Sequence, residues 1–298
     1  MAGRRQKKSG GRSYAWRYRG RIVACVFVEV IIICALVIMI GWNKGVKEWF
    51  EQFEQPVLKE VDISGINSPN AILMQARGGK ILGEINGEAQ IYPASMTKIM
   101  TVILGIENFD DLDEKITLTN EMFTGLYEQD ATQAGFQPGE EVRVIDLLYG
   151  AMLPSGAECC IALADTISGS EADFAELMNK KARKLGMENT NFCDSTGLHN
   201  PDHYSTVKDI AVLMKYCIKN DTFREIVETS RHSTGVTNIH PDGITYYSTM
   251  FKNLSDPTVT GGKILGGKTG YTSEAGHCLV SFAEIEGREY IFVSAGAS

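Results

Sequence analysis

This sequence lacks the closely paired metal ligands that a metallopeptidase needs. Its five histidines are scattered along 298 residues, and no His-Glu-x-x-His segment occurs. Beyond residue 42 there are five of the seven cysteines, an odd number without a metal-ligand spacing. A zinc peptidase and a disulfide framework are therefore disfavoured.

The main part of the chain is poor in basic residues. Eight of the 29 lysines and arginines lie before residue 22, and residues 1–42 hold only one acid, Glu29. Residues 43–298 therefore carry 21 basic and 36 acidic side chains. Nucleic acid is a polyanion, so we predict that the main domain does not bind it.

Long hydrophobic runs are also missing, with one exception. From Ile22 to Trp42 the sequence is apolar apart from Glu29, which is long enough to cross a bilayer of about 30 Å. The eight preceding cations predict a cytoplasmic N-terminal side. We expect a basic cytoplasmic tail (1–21), an uncleaved signal anchor (22–42) and an extracytoplasmic domain at the cell membrane. A cleaved signal peptide is the alternative, but bulky residues follow the run where small ones are needed.

Strand patterns lie at both ends of the remaining chain, with helical patterns between them. A stalk or linker is predicted over 43–64, and a β-hairpin turns at Arg77-Gly78-Gly79. An apolar helix begins at Ser95, a break between helices falls at Pro154-Ser155-Gly156, and strands return beyond about residue 234. We predict an α+β fold over 65–298, an antiparallel sheet flanked by helices with a mainly helical insertion.

Two further serines are predicted to begin helices. Ser170 precedes a stretch that reaches Gly186, and Ser205 precedes an apolar stretch through Cys217. Serine is a common N-cap, because its hydroxyl accepts a hydrogen bond from an unpaired amide of the first turn.

The tetrapeptide Ser95-Met96-Thr97-Lys98 places a hydroxyl and an amine on one helix face. A serine needs a base in order to attack at neutral pH, and a desolvated lysine amine can act as that base. The helix dipole stabilises negative charge at Ser95. An isolated Ser-x-x-Lys is most often a capping serine followed by a surface lysine, so the interpretation needs further signals.

Two such signals occur downstream. Ser155, at the break between apolar helices, can relay a proton, although alone it is most simply a helix cap. Lys268-Thr269-Gly270 ends a predicted strand, where a cation and a hydroxyl can hold a carboxylate and glycine lets a substrate backbone approach. The backbone amides of Ser95 and Tyr271 are candidates for an oxyanion hole.

The combination of these segments resembles the serine-type D-alanyl-D-alanine carboxypeptidases, which are low-molecular-mass penicillin-binding proteins. The similarity covers roughly residues 65–298. The matching segments are 92–101, 147–156, 203–206 and 267–276. The resemblance implies a β-lactamase/transpeptidase-like fold and an enzyme that needs neither a metal nor an organic cofactor.

The resemblance also implies roles for the candidate residues. Ser95 would be acylated by the penultimate D-alanine carbonyl of a peptidoglycan stem peptide, with Lys98 taking the serine proton. Ser155 would help to deliver a proton to the departing D-alanine. Lys268 and Thr269, beside Gly270, would hold the terminal carboxylate. β-Lactams, which imitate D-Ala-D-Ala, would acylate Ser95 as inhibitors. Independently of the resemblance, the apolar segment 22–42 predicts that an N-terminal helix binds the membrane.

Two departures from the family keep alternatives open. Ala157 stands where the middle motif usually has asparagine, so an amide that would contact substrate and orient Lys98 is missing. The sequence also stops at Ser298, just after the last predicted strand, where the family normally adds a helix and often a β-domain with a membrane helix. Either the chain is a fragment, or the N-terminal span replaces that anchor.

Three other functions compete with the peptidase. A non-catalytic β-lactam sensor or cell-wall-binding pseudoenzyme is slightly favoured by Ala157 and the predicted anchor, whereas the intact Ser95, Lys98 and Lys268 argue against it. A β-lactamase would need a water-activating base, and no Glu-x-x-Leu-Asn type segment lies between Ser155 and Lys268. A transpeptidase would use the same acyl-enzyme with an amine acceptor.

Overall fold

The computed structural model describes residues 60–254 and 256–298. The predicted cytoplasmic tail (1–21), the predicted span (22–42) and most of the predicted stalk (43–64) lie outside these residues. Within the described ranges, no helix combines the length and apolar character needed to cross a membrane.

Ten strands are present in the described residues. They are β1 Asn70–Gln75, β2 Ile81–Ile85, β3 Lys115–Thr117, β4 Glu141–Arg143, β5 Arg231–Ser233, β6 Thr245–Tyr247, β7 Thr258–Val259, β8 Gly262–Thr272, β9 Gly276–Ile285 and β10 Arg288–Ala297. The predicted first hairpin is β1–β2, and its turn contains Gly78 and Gly79 with φ of 84° and 74°. Glycine suits this turn because it adopts positive φ without steric cost.

Six of these strands form the main sheet, in the order β2-β1-β10-β9-β8-β7, and every neighbouring pair is antiparallel. Strand β9 alternates between a buried face, which includes Val280 and Phe282, and a less buried one, whereas β8 is buried continuously from Leu265 to Lys268. The first and last strands of the described residues therefore meet in one sheet, with β1 paired to β10. The α+β prediction is confirmed.

Seven α-helices occupy the described residues. They are α1 Lys98–Asn108, α2 Val144–Met152, α3 Ala157–Ser168, α4 Glu171–Leu185, α5 Val207–Cys217, α6 Asp221–Glu228 and α7 Thr249–Lys252. Helix α1 is buried from Lys98 to Gly105 and contacts α2, α3 and α5. A helix that is apolar on nearly every side is stable only inside the protein, which explains its central place.

Of the two predicted serine N-caps, Ser170 is confirmed and Ser205 is wrong. Ser170 accepts a hydrogen bond from the Asp173 amide at 3.1 Å, and α4 ends before Gly186, whose φ is 80°. The N-cap of α5, however, is Thr206 instead of Ser205. The Ser205 hydroxyl lies 2.8 Å from the Thr190 hydroxyl, so this tertiary contact uses the group that would have capped the helix.

Candidate active site

Ser95 lies in a short 3-10 helix, Ala94–Thr97, that runs directly into α1. The Lys98 amine donates a hydrogen bond to the Ser95 hydroxyl at 3.0 Å. Ala94, just before the serine, has a φ of 47°, which is unusual for a residue other than glycine. Strain of this kind persists only where the surroundings fix the backbone, and it is common at functional sites.

The amine of Lys98 is held in the interior of the protein. Only 4% of Lys98 is exposed, and its amine also donates to the Thr196 carbonyl at 2.6 Å. Burial lowers the pKa of this amine, because the charged form is poorly solvated there. A lysine with a lowered pKa and a serine hydroxyl within hydrogen-bond reach can act as base and nucleophile.

Ser155 occupies the turn between α2 and α3, where the break was predicted. Its φ is 76°, in the left-handed region, and the next amide, that of Gly156, donates to the Gly150 carbonyl at 2.8 Å. Gly156 has no room for a side chain, since a Cβ would lie 2.7 Å from the Cβ of Ala134. The turn is therefore strained and closely packed, which fixes the position of Ser155.

Lys268, in the middle of β8, contacts Ser155 across the site. Its amine donates to the Ser155 hydroxyl at 3.0 Å and to the Thr269 carbonyl at 2.8 Å. The residue is 1% exposed, and burial, together with the positive charge of Lys98, lowers its pKa to about 7. Near neutral pH this amine is therefore present in both charged and neutral forms.

The remaining residues of the Lys-Thr-Gly segment line the same region. The Thr269 hydroxyl lies 2.8 Å from the hydroxyl of Thr249, the first residue of α7. Gly270 packs against the nucleophile segment, because a Cβ there would lie 3.0 Å from the Ser95 amide nitrogen. Tyr271 is 60% exposed and also lines the cleft, and its backbone amide is the group predicted for the oxyanion hole.

A cleft of about 550 Å³ connects these elements. Its lining includes Ser95, Ser155, Thr269, Gly270 and Tyr271. The structure therefore brings together the Ser95–Lys98 pair, the middle serine and the Lys268–Gly270 segment of β8, which are far apart in the sequence. The prediction that this segment ends a strand is wrong, because pairing with β9 continues to Thr272. This volume is within the range of pockets that bind small molecules.

A family model described as D-alanyl-D-alanine carboxypeptidase, peptidase family S11, matches residues 57–298. The chain belongs to this family. Two curated relatives carry the same description. The protein DacF of Bacillus subtilis is 35% identical over 233 residues, covering 77% of this chain and 57% of the relative. DacC of Escherichia coli is 33% identical over 262 residues, covering 80% of this chain and 58% of the relative. The chain thus spans less than two thirds of the length of these relatives.

Solved structures show the same architecture. The crystal structure of the Streptomyces K15 DD-transpeptidase is 29% identical, with a TM-score of 0.71, and the match covers 80% of this chain and 93% of that one. The curated D-alanyl-D-alanine carboxypeptidase of Streptomyces sp. strain K15 is 36% identical over 205 residues, covering 66% of this chain and 69% of the relative. The transpeptidase-like fold is therefore confirmed.

The departure from the family's middle motif lies at the start of α3. Ala157 is 2% exposed and is followed by Glu158, which is completely buried. One oxygen of Glu158 accepts hydrogen bonds from the amides of Ala134 and Gly135, at 2.6 and 2.9 Å, and the other has no hydrogen-bond partner among the described residues. Burial raises the pKa of this carboxyl. Glu158 thus fastens the segment that contains Thr132, which lines the cleft.

Sequence reasoning missed three contributors to this S11 site. The Thr196 carbonyl binds Lys98, the Thr249 hydroxyl meets Thr269, and the carboxyl of Glu158 holds a wall of the cleft. A backbone carbonyl has no residue-type signature, and a lone threonine carries little information. Glu158 alone carried a usable signal, because an acid within the apolar segment after Ser155 requires hydrogen-bond partners when it is buried.

Proposed function

We propose that this chain is a serine D-alanyl-D-alanine carboxypeptidase that removes the terminal D-alanine from peptidoglycan stem peptides. Membership of the family supports this reaction. The observation that carries the proposal is the pair of contacts from Lys98 to Ser95 and from Lys268 to Ser155 around one cleft. Together these contacts provide a nucleophile, a base, a proton relay and a cation for the substrate terminus.

In the acylation step, the Ser95 oxygen attacks the carbonyl carbon of the penultimate D-alanine. The neutral Lys98 amine, 3.0 Å from that oxygen, takes the proton as the new carbon–oxygen bond forms. The backbone amides of Ser95 and Tyr271 stabilise the resulting oxyanion. The lowered pKa of Lys98 favours this step, because more of the amine is unprotonated at neutral pH.

The amide bond then breaks, and the terminal D-alanine leaves as an amine. The proton that this nitrogen gains comes from Lys98 through the Ser155 hydroxyl. Ser155 already accepts a hydrogen bond from Lys268, so its hydroxyl is oriented for such a relay. Water subsequently attacks the Ser95 ester, which releases the shortened peptide and restores the serine.

The enzyme recognises the C-terminus of the substrate by its free carboxylate. Lys268 in its charged form and the Thr269 hydroxyl bind this carboxylate along β8, beside Gly270. The same contacts suit the carboxylate of a β-lactam, which is the basis for proposing penicillin as an inhibitor. A peptide without a free carboxylate would lose a charge-assisted hydrogen bond.

We also propose where the reaction takes place. The apolar segment 22–42, with its preceding cations, anchors the chain in the cell membrane and leaves the catalytic domain on the extracytoplasmic side. Peptidoglycan lies on that side, so anchor and substrate are compatible.

The proposal is tested by measuring D-alanine released from diacetyl-Lys-D-Ala-D-Ala by the full chain in detergent. We expect release by the wild type, none by Ser95→Ala, and normal release by Ser233→Ala, a change at an exposed serine outside the cleft. Absence of D-alanine from the wild type, combined with stable labelling by fluorescent penicillin, would instead support the β-lactam sensor.

Transpeptidation is a second candidate, since the solved structure named above is described as a DD-transpeptidase. The acyl-enzyme would be the same, and an amine would replace water in the second step. Adding a D-amino acid as acceptor distinguishes the two reactions. Exchange of the terminal residue at a rate above that of hydrolysis would favour the transpeptidase.

A further inference from the structure

The Thr196 carbonyl that binds Lys98 belongs to a tight turn, Asp194-Ser195-Thr196-Gly197. One oxygen of the Asp194 carboxylate accepts three hydrogen bonds, each at 2.7 Å, from the Thr196 amide, the Thr196 hydroxyl and the Gly197 amide. These bonds fold the turn around the carboxylate. The direction of the Thr196 carbonyl, and hence the position of the Lys98 amine, depends on this arrangement.

The second oxygen of Asp194 reaches the nucleophile segment through a histidine. It lies 3.1 Å from Nδ1 of His203, and Nε2 of that ring lies 2.9 Å from the hydroxyl of Thr97. Thr97 immediately precedes Lys98 in the chain. His203 is 2% exposed and packs edge-to-face against Phe192, which restrains its ring.

These contacts tie the turn to the Thr97–Lys98 segment at two points, the Lys98 amine and the Thr97 hydroxyl. Nδ1 of His203, which faces Asp194, also lies 3.2 Å from the Cys193 amide nitrogen, so the ring is held from the same loop. Asp194 acts on the Thr97–Lys98 segment by two routes. One passes through the Thr196 carbonyl to Lys98, and the other passes through His203 to Thr97. A second anchor holds the turn from outside, because Glu171 accepts from the Ser195 hydroxyl at 2.7 Å and from its amide at 3.0 Å.

We propose that Asp194, acting with His203, is a positioning residue that holds the Thr196 carbonyl on Lys98 and supplies a negative charge to the environment of this amine. The inference deepens the proposed function and rests on Lys98 acting as the base for Ser95. Asp194 contacts neither the nucleophile nor the cleft in the described residues, so its effect on the reaction passes through Lys98.

The charge of Asp194 is retained under working conditions. Burial by itself would raise the pKa of this carboxyl, but the hydrogen bonds from His203, Thr196 and Gly197 hold it at about 2. The charge opposes the effect of burial on Lys98, whose pKa would be lower still without it. Glu158, Cys159 and Cys160 on α3 and Lys268 on β8 also face Lys98.

The test compares wild type with Asp194→Asn and Asp194→Ala in the full chain with detergent present. Asp202→Asn is the matched control, because Asp202 is an exposed acid of the same loop. Two quantities are measured against pH: the rate of acylation by fluorescent penicillin, and the ionisation of Lys98 by NMR of lysine-labelled protein. Thermal unfolding of each variant reports whether it folds.

Asp194→Asn keeps an acceptor oxygen but loses the charge. In this variant we expect Lys98 to titrate at lower pH than in wild type, and the acid limb of the acylation rate to move in the same direction. Asp194→Ala should acylate slower on the order of 10²-fold, because a displacement near 1 Å of a catalytic group has that effect. Asp202→Asn should match wild type.

A Lys98 titration that does not move in either Asp194 variant would overturn the inference, even if acylation slows, because the residue would then serve the fold alone. If Asp194→Ala does not fold, the titration of Asp194→Asn decides. If wild type forms no adduct, the proposed function fails, and the NMR titration still decides whether Asp194 acts on Lys98.

Discussion

Replacing Gly197 with alanine should disable the proposed nucleophile without changing any residue of the three sequence motifs. Gly197 has a φ of 80° and packs against the segment that contains Ser95. A Cβ at this position would lie 1.9 Å from the Ala94 carbonyl oxygen and 2.8 Å from the Thr97 hydroxyl. The clash is with backbone, which cannot rotate away as a flexible side chain can.

The size of the effect follows from these distances. A carbon–oxygen contact requires about 3.3 Å, so the turn or Ala94 must retreat by about 1.4 Å. Because the turn carries the Thr196 carbonyl and Ala94 adjoins Ser95, either movement disturbs the pair formed by Ser95 and Lys98. A displacement of this size reduces the rate of a positioned reaction about 10²-fold. The left-handed backbone adds about 1–2 kcal/mol of destabilisation.

Gly186→Ala is the matched control for this substitution. Gly186 has the same φ of 80°, but nothing lies within 4 Å of a Cβ placed there. It should therefore lose only the about 1–2 kcal/mol that the left-handed backbone costs, measured by urea unfolding, and keep normal acylation by fluorescent penicillin. If Gly197→Ala acylates within about twofold of Gly186→Ala, the contact between the turn and the nucleophile segment does not matter for the reaction, and the argument from packing is wrong.

Three further predictions concern charge and the missing amide. The kcat/KM for diacetyl-Lys-D-Ala-D-Ala should be bell-shaped in pH, because the reaction needs Lys98 without its proton and Lys268 with its charge, and burial lowers the pKa of both amines. A peptide with an amidated terminus does not need the charge of Lys268 and should lack the alkaline limb. Asp194, with its pKa of about 2, should contribute about 2 kcal/mol to the free energy of unfolding. This contribution is fully present above the ordinary pKa of aspartate and is lost as the pH falls towards 2. Urea unfolding should show this pH dependence in wild type and not in Asp194→Asn. Ala157→Asn should raise D-alanine release about fivefold through one added hydrogen bond, whereas Ala157→Leu, which adds similar bulk without an amide, should slow release.

Local signals were sufficient to predict much of the fold. The paired glycines 78 and 79 identified the first hairpin, and Pro154 with Gly156 identified the break that presents Ser155. In each case the residue type restricts the backbone so strongly that few conformations remain. The spacing of Ser95 and Lys98 likewise placed the two groups on one face, because helical geometry brings residues three apart together.

Other features depend on tertiary contacts that no local pattern contains. Ser205 and Thr206 are both good caps, and the choice of Thr206 follows from the contact between Ser205 and Thr190, which comes from a different segment. The binding of Lys98 by a carbonyl 98 residues away depends on the path of the backbone. The approach of Gly270 to the Ser95 amide depends on the position of β8 beside the 3-10 helix.

Mass measurement of the intact chain after incubation with penicillin tests the central claim most directly. A proteolytic digest of the product locates the modified residue. We expect one penicillin per chain, attached to the peptide that contains Ser95, and no addition to Ser95→Ala. An unmodified wild type, or an adduct at any other residue, would contradict the assignment of Ser95 as the nucleophile.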